Sequence, residues 1–274
     1  MRDRMRIDLH IHSTASDGAL APLDVVAAAR AGGLDLIALA DHDTIAGVPT
    51  AMAAADQELR VIPAIEISAT HDERDIHILG YGIDPAAPSI AGHAARARTA
   101  REHRLREMID RLADLDVLIP FEAVEAEAGP GSSVLARPHL ARVLWNHGHV
   151  QSVAEAFDRY IGDAGPAFVP VQLLDVGEAI QRIHDAGGLA VWAHPPVSML
   201  CEPLDRFVAQ GMDGLECHRP RVQPQDLARL LSRARRHDLL VTGGSDWHGE
   251  WNGPLGGFHI DRPAVDAFLD RLGI

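Results

Sequence analysis

Short apolar runs alternate with helix-forming stretches along most of the chain, and many of the runs end in histidine or a carboxylate. Arg6–His12 reads as a first strand, with Ile7, Leu9 and Ile11 alternating against Asp8, His10 and His12. Pro22–Arg30 follows as a helix, with Pro22 near its start and Gly32-Gly33 beyond its end. Leu34–Ala40 is an apolar strand, and Thr44 is placed to cap an Ala-rich helix running to about Asp56. Arg60–Ile67 and Ile76–Tyr81 read as further strands. The middle of the chain is helical: Pro88 to Leu115, Phe121–Ala128, Pro138–Asn146 and Val153–Ile161, punctuated by Pro130, Gly131, Gly165, Pro166 and Pro170. Alternation then resumes. Helices are expected over Val176–Ala186, Pro203–Gln210, Pro224–His237 and from about Pro263 to Leu272, with strands at Leu189–Ala193, Gly214–His218 and Leu239–Thr242.

Strands this apolar, separated by helices, predict a parallel sheet covered by helices. The reactive residues fall at strand carboxyl ends, where the loops of a βα barrel converge. An open doubly wound sheet would gather ligands only near a switch point. The fold class expected is therefore α/β, a distorted (β/α)7-type barrel with a helical insertion subdomain. The barrel is assigned to residues 1–84 and 173–274, and residues 85–172 form an insertion capping the active site.

Composition narrows the function. The formal net charge is −14 over 274 residues, so no long nucleic acid is drawn in by bulk charge. Two cysteines, Cys201 and Cys217, allow neither a disulfide framework nor a cysteine-rich zinc motif. The opening MRDRMRIDLH carries no apolar signal stretch, and no run reaches the roughly 20 residues that span a membrane. A cytoplasmic, membrane-free protein is expected.

The candidate chemistry is metal binding. His10 and His12, two apart on a strand, face the same side and can reach one ion. Asp17 stands in the turn Ser16-Asp17-Gly18, where an aspartate also serves as a cap. Asp41-His42-Asp43 puts three polar groups at one buried strand end, more than capping requires. Glu66 lies among Ile, Pro and Ala, where an unpaired carboxylate is costly. His77 and His194 each sit in apolar strands, and Asp246-x-His248 repeats the spacing of the first pair. Such a set, buried together, calls for a cluster of divalent metal ions.

The ordered set His10-x-His12, Asp17, Asp41-His42-Asp43, Glu66, His77, His194-Pro195 and Asp246-x-His248 resembles the PHP (polymerase and histidinol phosphatase) family over nearly the whole chain. Ala15-Ser16-Asp17-Gly18, Glu66-Ile67-Ser68 and Gly244-Ser245-Asp246 are similar to its bacterial stand-alone metallophosphoesterases, which hydrolyse nucleoside 3′,5′-bisphosphates or trim RNA from the 5′ end. The resemblance implies a first metal site at His10, His12, Glu66 and Asp246. It implies a second ion held by Glu66, His77 and His194, and a third at Asp17, His42 and His248. Two to three ions are expected, Mn²⁺ first, with Fe²⁺ or Zn²⁺ as alternatives. Relatives carry Gly-Arg-Tyr after the Ala-His-Pro motif and a Lys in the insertion; here Pro196-Val197-Ser198 and the Gly165 region stand in their place. Arg137, His139, His218 and Arg221 are then the candidate substrate-binding residues.

The reaction implied is attack on a phosphate ester by a hydroxide generated between two metals. Asp17, His42 and His248 would act on the leaving-group side, and Arg137 would hold the phosphate through its planar fork. The partner expected is a phosphorylated small molecule or the terminus of a nucleotide or oligonucleotide. Alternatives are a phosphatase for a small monoester such as histidinol phosphate, and a non-catalytic metal-binding accessory module. An amide hydrolase of the carboxylated-lysine type is disfavoured, because the chain contains no lysine.

Overall fold

The computed structural model describes residues 5–72, 74–170 and 174–274. The elements begin with β1 (Arg6–Ile11), α1 (Pro22–Ala31), β2 (Leu36–Leu39), α2 (Val48–Ala54), β3 (Arg60–His71) and β4 (Arg74–Tyr81). The middle holds α3 (Pro88–Ala113), α4 (Phe121–Ala128), α5 (Arg137–Asn146) and α6 (Val153–Ala156), and α6 runs into a π turn, Phe157–Ile161. After these come α7 (Val176–Asp185), β5 (Leu189–Trp192), α8 (Glu202–Ala209), β6 (Gly214–His218), α9 (Pro224–Arg236), β7 (Leu240–Gly243), β8 (Ile260–Asp261) and α10 (Asp266–Arg271). Thr44 does not cap α2. Gly47 occupies that place, and the Thr44 hydroxyl accepts from the Ala46 amide at 3.2 Å.

One eight-stranded sheet runs β7-β6-β5-β4-β3-β2-β1-β8. Most neighbours are parallel, but β4 is antiparallel to both β3 and β5, and β8 is antiparallel to β1. The sheet nearly closes where the segment after β7 meets β1. The His12 amide donates to the Trp247 carbonyl at 2.9 Å, the Trp247 amide to the His10 carbonyl at 3.3 Å, and the Ser245 amide to Asp8 at 2.8 Å. Gly244 permits this seam, since a β-carbon there would lie 2.3 Å from the His10 β-carbon.

Alternation along the strands sorts the core. Ile7, Leu9, Leu36, Ala38, Ile62, Ala64, Leu79, Tyr81 and Val191 pack together inside the barrel, closed from below by Phe268 and Leu269 of α10. Ile11, Ile37 and Leu39 face outward onto α1. Between Asp8 and Ile11 two residues of β1 oppose one of β2, a bulge that reverses the alternation and turns His10 inward directly after Leu9. A second bulge at Cys217 interrupts β6 just past Glu216. Bulges re-aim side chains next to sites of this kind.

The descent of β4 sets the path of the middle segment. Tyr81 pairs with Leu189, the first residue of β5, so β4 ends at the amino side of the parallel strands. α3 starts there, with the Ser89 hydroxyl donating to the Arg182 carbonyl. The chain returns at the carboxyl side, where the Thr70 amide donates to the Leu174 carbonyl at 2.8 Å. Leu105, Met108, Leu112, Val124, Leu140, Leu144 and Ile161 form a hydrophobic cluster separate from those of the barrel. Ala87 and Ile90, at the foot of α3, pack instead in a barrel cluster with Ile78, Ile183 and Trp192, and the expected 172/173 boundary lies outside the described residues.

Candidate metal centre

Inward alternation carries Glu66 to the barrel axis, one layer above Ile62 and Ala64. Around it stand five imidazoles: His10 and His12 at the end of β1, His42 in the loop after β2, His77 on β4 and His194 just past β5. The Glu66 carboxylate lies 3.4 Å from Nε2 of both His10 and His12, 2.8 Å from His42 Nδ1, 3.0 Å from His77 Nδ1 and 3.0 Å from His194 Nε2. Asp246 Oδ1 is 3.5 Å from His10 Nε2 and 3.2 Å from His12 Nε2. Asp17 lies 3.4 Å from His248 Nε2, 3.8 Å from His42 Nε2 and 3.9 Å from His12 Nδ1. His77 reaches the cluster because β4 runs downward: it pairs with Ser68, so it sits near the start of its strand and not at its carboxyl end.

The donor set fits divalent ions. His10 Nε2, both ring nitrogens of His12, His42 Nδ1 and Glu66 Oε2 are buried and, although they crowd one another and Asp17 at 2.8–3.9 Å, are not aligned for hydrogen bonds. Native interiors rarely leave such groups unmatched. Among the described residues, three groups have ligand atoms all within 4.8 Å of one another: His10 with His12 and Glu66; His12 with Asp17, His42 and His248; and His42 with Glu66 and His77. Two atoms each 2.0–2.2 Å from one ion lie at most about 4.4 Å apart, so these spacings are close to those that ligation needs. The grouping is more shared than the sequence suggested. His12 borders the first and third clusters, and His42 borders the second and third, while His194 meets the second through Glu66.

Charge tells the same story. Burial alone would raise the Glu66 carboxyl, but His42, His77 and His10 outweigh it and hold it well below the usual carboxylate range. Burial opposes charge on His248, yet Asp17 and Asp246 carry its imidazole up to about 10. Burial, with repulsion from His248 and His42, drives His12 down to about 3, which leaves a neutral imidazole ready to ligate. The proton on His248 is what a divalent ion would displace.

A further layer holds the ligands in place. Glu216, fully buried on β6, lies 2.9 Å from His10 Nδ1 through Oε1 and accepts from the His194 amide through Oε2 at 2.7 Å. It fixes the His10 tautomer and ties two candidate ligands together. Asp41 accepts from the Ser13 amide and from the Ser13 and Ser16 hydroxyls at 2.6–2.7 Å, which shapes the loop carrying Asp17. Asp43, at φ 53°, accepts from Arg101 Nε at 2.7 Å and the Ser68 amide at 2.8 Å, and lies 2.7 Å from His93 Nε2. Glu216→Gln is expected to lower metal affinity by about 10–100-fold with the fold intact. Metal titration checks it, and unchanged affinity would remove Glu216 from this role.

Above the cluster is a cavity of about 300 Å3. Its floor includes Asp17, His42, His77, His194, Asp246 and His248, and its flank includes Arg101 and Arg104 of α3 and Arg137 of α5. Arg137 donates to Asp163 at 2.7 Å, and Arg104 to Asp75 at 2.8 Å. The other sequence candidates lie elsewhere. His139 is buried at the start of α5, where its Nδ1 accepts from the Ala136 amide at 3.0 Å. His218 closes β6, and Arg221 is exposed on the next turn at φ 63°; neither lines this cavity.

A PHP-domain family model matches residues 8–119. A 5′-3′ exoribonuclease of Haemophilus influenzae is 36% identical over 252 residues, covering 89% of this chain and 90% of that protein. A 3′,5′-nucleoside bisphosphate phosphatase of Chromobacterium violaceum is 33% identical over 253 residues, covering 90% of this chain and 88% of the other. A crystal structure from Bifidobacterium adolescentis, described as a metal-dependent phosphoesterase, superposes with a TM-score of 0.86 at 34% identity over 97% of this chain and 96% of its own. Likeness over nearly the whole chain goes beyond a shared barrel: the chain belongs to the PHP family and is a metal-dependent phosphoesterase.

Proposed function

We propose that the chain hydrolyses a phosphate ester of a nucleotide or of a short oligonucleotide terminus. The observation that carries this reading is the meeting, in one cavity, of the metal-ligand floor with three arginines from the capping helices. The relatives named above act on ribonucleic acid and on nucleoside bisphosphates, which supports the same substrate class.

The proposed holders are His10, His12, Glu66 and Asp246 for one ion, Glu66, His77 and His194 for a second, and Asp17, His42 and His248 for a third. Mn²⁺ suits this mixture of carboxylate and imidazole, with Fe²⁺ or Zn²⁺ as alternatives. When bound, such ions polarise the phosphoryl oxygens and activate water at neutral pH. The side chains do the positioning. Arg137, steadied by Asp163, offers a planar fork to the phosphate. Arg104 and Arg101 add positive charge at the joint between cap and barrel. Asp17, His42 and His248 face the leaving group. With a net charge of −14, contacts centre on terminal phosphates. Among the described residues no helix is long and apolar enough to cross a membrane.

The test compares kcat/KM across p-nitrophenyl phosphate, histidinol phosphate, nucleoside monophosphates, 3′,5′-bisphosphates and 5′-phosphorylated dinucleotides, with Mn²⁺ present. A nucleotide is expected to win by about tenfold or more, ~1.4 kcal/mol of transition-state binding. Victory of a small non-nucleotide ester by that margin would transfer the chain to the small-monoester phosphatases.

A further inference from the structure

One wall of the cavity is left unused by hydrolysis. Apart from the metal-ligand floor, the arginines and Asp75, the cavity is lined by Ala136, Pro138 and Phe157, all from the cap. Phe157 opens the π turn Phe157–Ile161. Single π turns recur at functional sites, where the added residue changes a side chain's aim. The ring is half-buried: it packs against the cap core and also borders the cavity. The Arg137 guanidinium carbon lies over the ring at 5.7 Å from its centroid and over that of Phe168 at 5.3 Å, so a cation that can hold phosphate borders the aromatic face.

We propose that Phe157, with Pro138 beside it, is the platform on which a substrate nucleobase stacks, and that preference for nucleotides over base-free phosphate esters rests on it. This deepens the proposed function and depends on it for the class of substrate. The layout matches a nucleotide in order: metal-ligand floor for the reacting phosphate, arginines for its charge, and an apolar face for the base. Ala136, Pro138 and Phe157 carry no side-chain hydrogen-bonding group. The wall therefore cannot read a base edge, and stacking tolerates every base because each has a π-face. The preference that follows is for any nucleobase, with purines ahead of pyrimidines through their larger ring area. At about 300 Å3 the cavity is at the small end of ligand sites and has room for a single nucleotide.

The experiment uses the Mn²⁺-loaded full chain and its Phe157→Leu and Phe157→Trp variants. It measures kcat/KM on nucleoside monophosphates and on ribose 5-phosphate, with calorimetric affinities for the same ligands. Phe157→Leu is expected to lower nucleotide kcat/KM and affinity by about tenfold, ~1.4 kcal/mol, and to change ribose 5-phosphate by less than about twofold. Phe157→Trp is expected to retain the nucleotide preference. Equal losses on both ligands would reduce Phe157 to cap packing and overturn the platform. So would no loss, or a wild-type chain that shows no preference for nucleotides in either measurement. Nucleotide binding that depends on Phe157 without turnover would sink the hydrolytic reading and leave the platform standing. Turnover with selectivity untouched by Phe157→Leu would do the reverse.

Discussion

Replacing Glu66 with glutamine is expected to remove metal and activity together. The carboxylate is fully buried and lies within 3.4 Å of ring nitrogens from five histidines. Glutamine keeps the shape but removes the negative charge and turns an N–H donor towards atoms that must act as ligands. Metal ions contribute several kcal/mol to phosphoryl-transfer transition states, so kcat/KM is expected to fall on the order of 10³-fold. Added Mn²⁺ raises the melting temperature of a protein that binds it only when folded, and that rise is expected to shrink in the variant. The fold itself should persist, since a neutral amide costs less to bury than an unpaired carboxylate. Metal analysis, kinetics and thermal denaturation read the three outcomes. A variant with wild-type metal content and rate would exclude Glu66 as a shared ligand.

Arg101→Met is expected to produce the largest loss of stability. Arg101 and Asp43 are both buried, and the guanidinium also donates to the Ser68 hydroxyl at 2.7 Å. Asp43 would retain His93 and the Ser68 amide but lose its cation. Removing one partner of a buried ion pair costs about 3–5 kcal/mol. In a chain of this size that lowers the melting temperature by on the order of 10 °C. Activity should fall too, because Asp43 follows His42 and fixes the loop that aims it. Asp43→Asn combined with Arg101→Met should recover part of the stability, which a double-mutant cycle measures. A melting temperature within about 2 °C of wild type would show the pair to be incidental.

The local pattern made much of this centre legible. His10-x-His12 and Asp246-x-His248 carry their geometry in their spacing, and Glu66 stood out as a carboxylate inside an apolar strand. Glu216 offered the same signal, embedded between Leu215 and Cys217, but lacked a neighbouring ligand motif to draw notice. Arg101 and Arg104 were hidden for another reason. On an Arg-rich helix nothing local separates an arginine that reaches a buried aspartate from one that stays in water. The reversal of β4 is legible in the spacing: the few residues between Ile67 and Ile76 are too short for a parallel crossover, which needs a dozen or more. β8, at Ile260–Asp261, is too brief to leave a period. His139 shows the converse case: it stands next to a promising arginine, and its ring accepts from the Ala136 amide at the start of α5.

Because β4 descends, α3 has to climb. Its 26 residues reach about 39 Å at ~1.5 Å each, well beyond the height of the short parallel strands. Its upper part carries the segment from 114 to 170, which also touches the barrel where the Ser133 amide donates to the Ala15 carbonyl at 2.8 Å and the Ser132 hydroxyl to the Ser16 carbonyl at 3.0 Å, before the chain re-enters beside Thr70. Every candidate metal ligand lies outside that segment. Recombination between those two points would therefore keep every candidate ligand while replacing Arg137, Pro138 and Phe157 on the cavity wall. Reaction chemistry and substrate range are then free to diverge at different rates within one lineage.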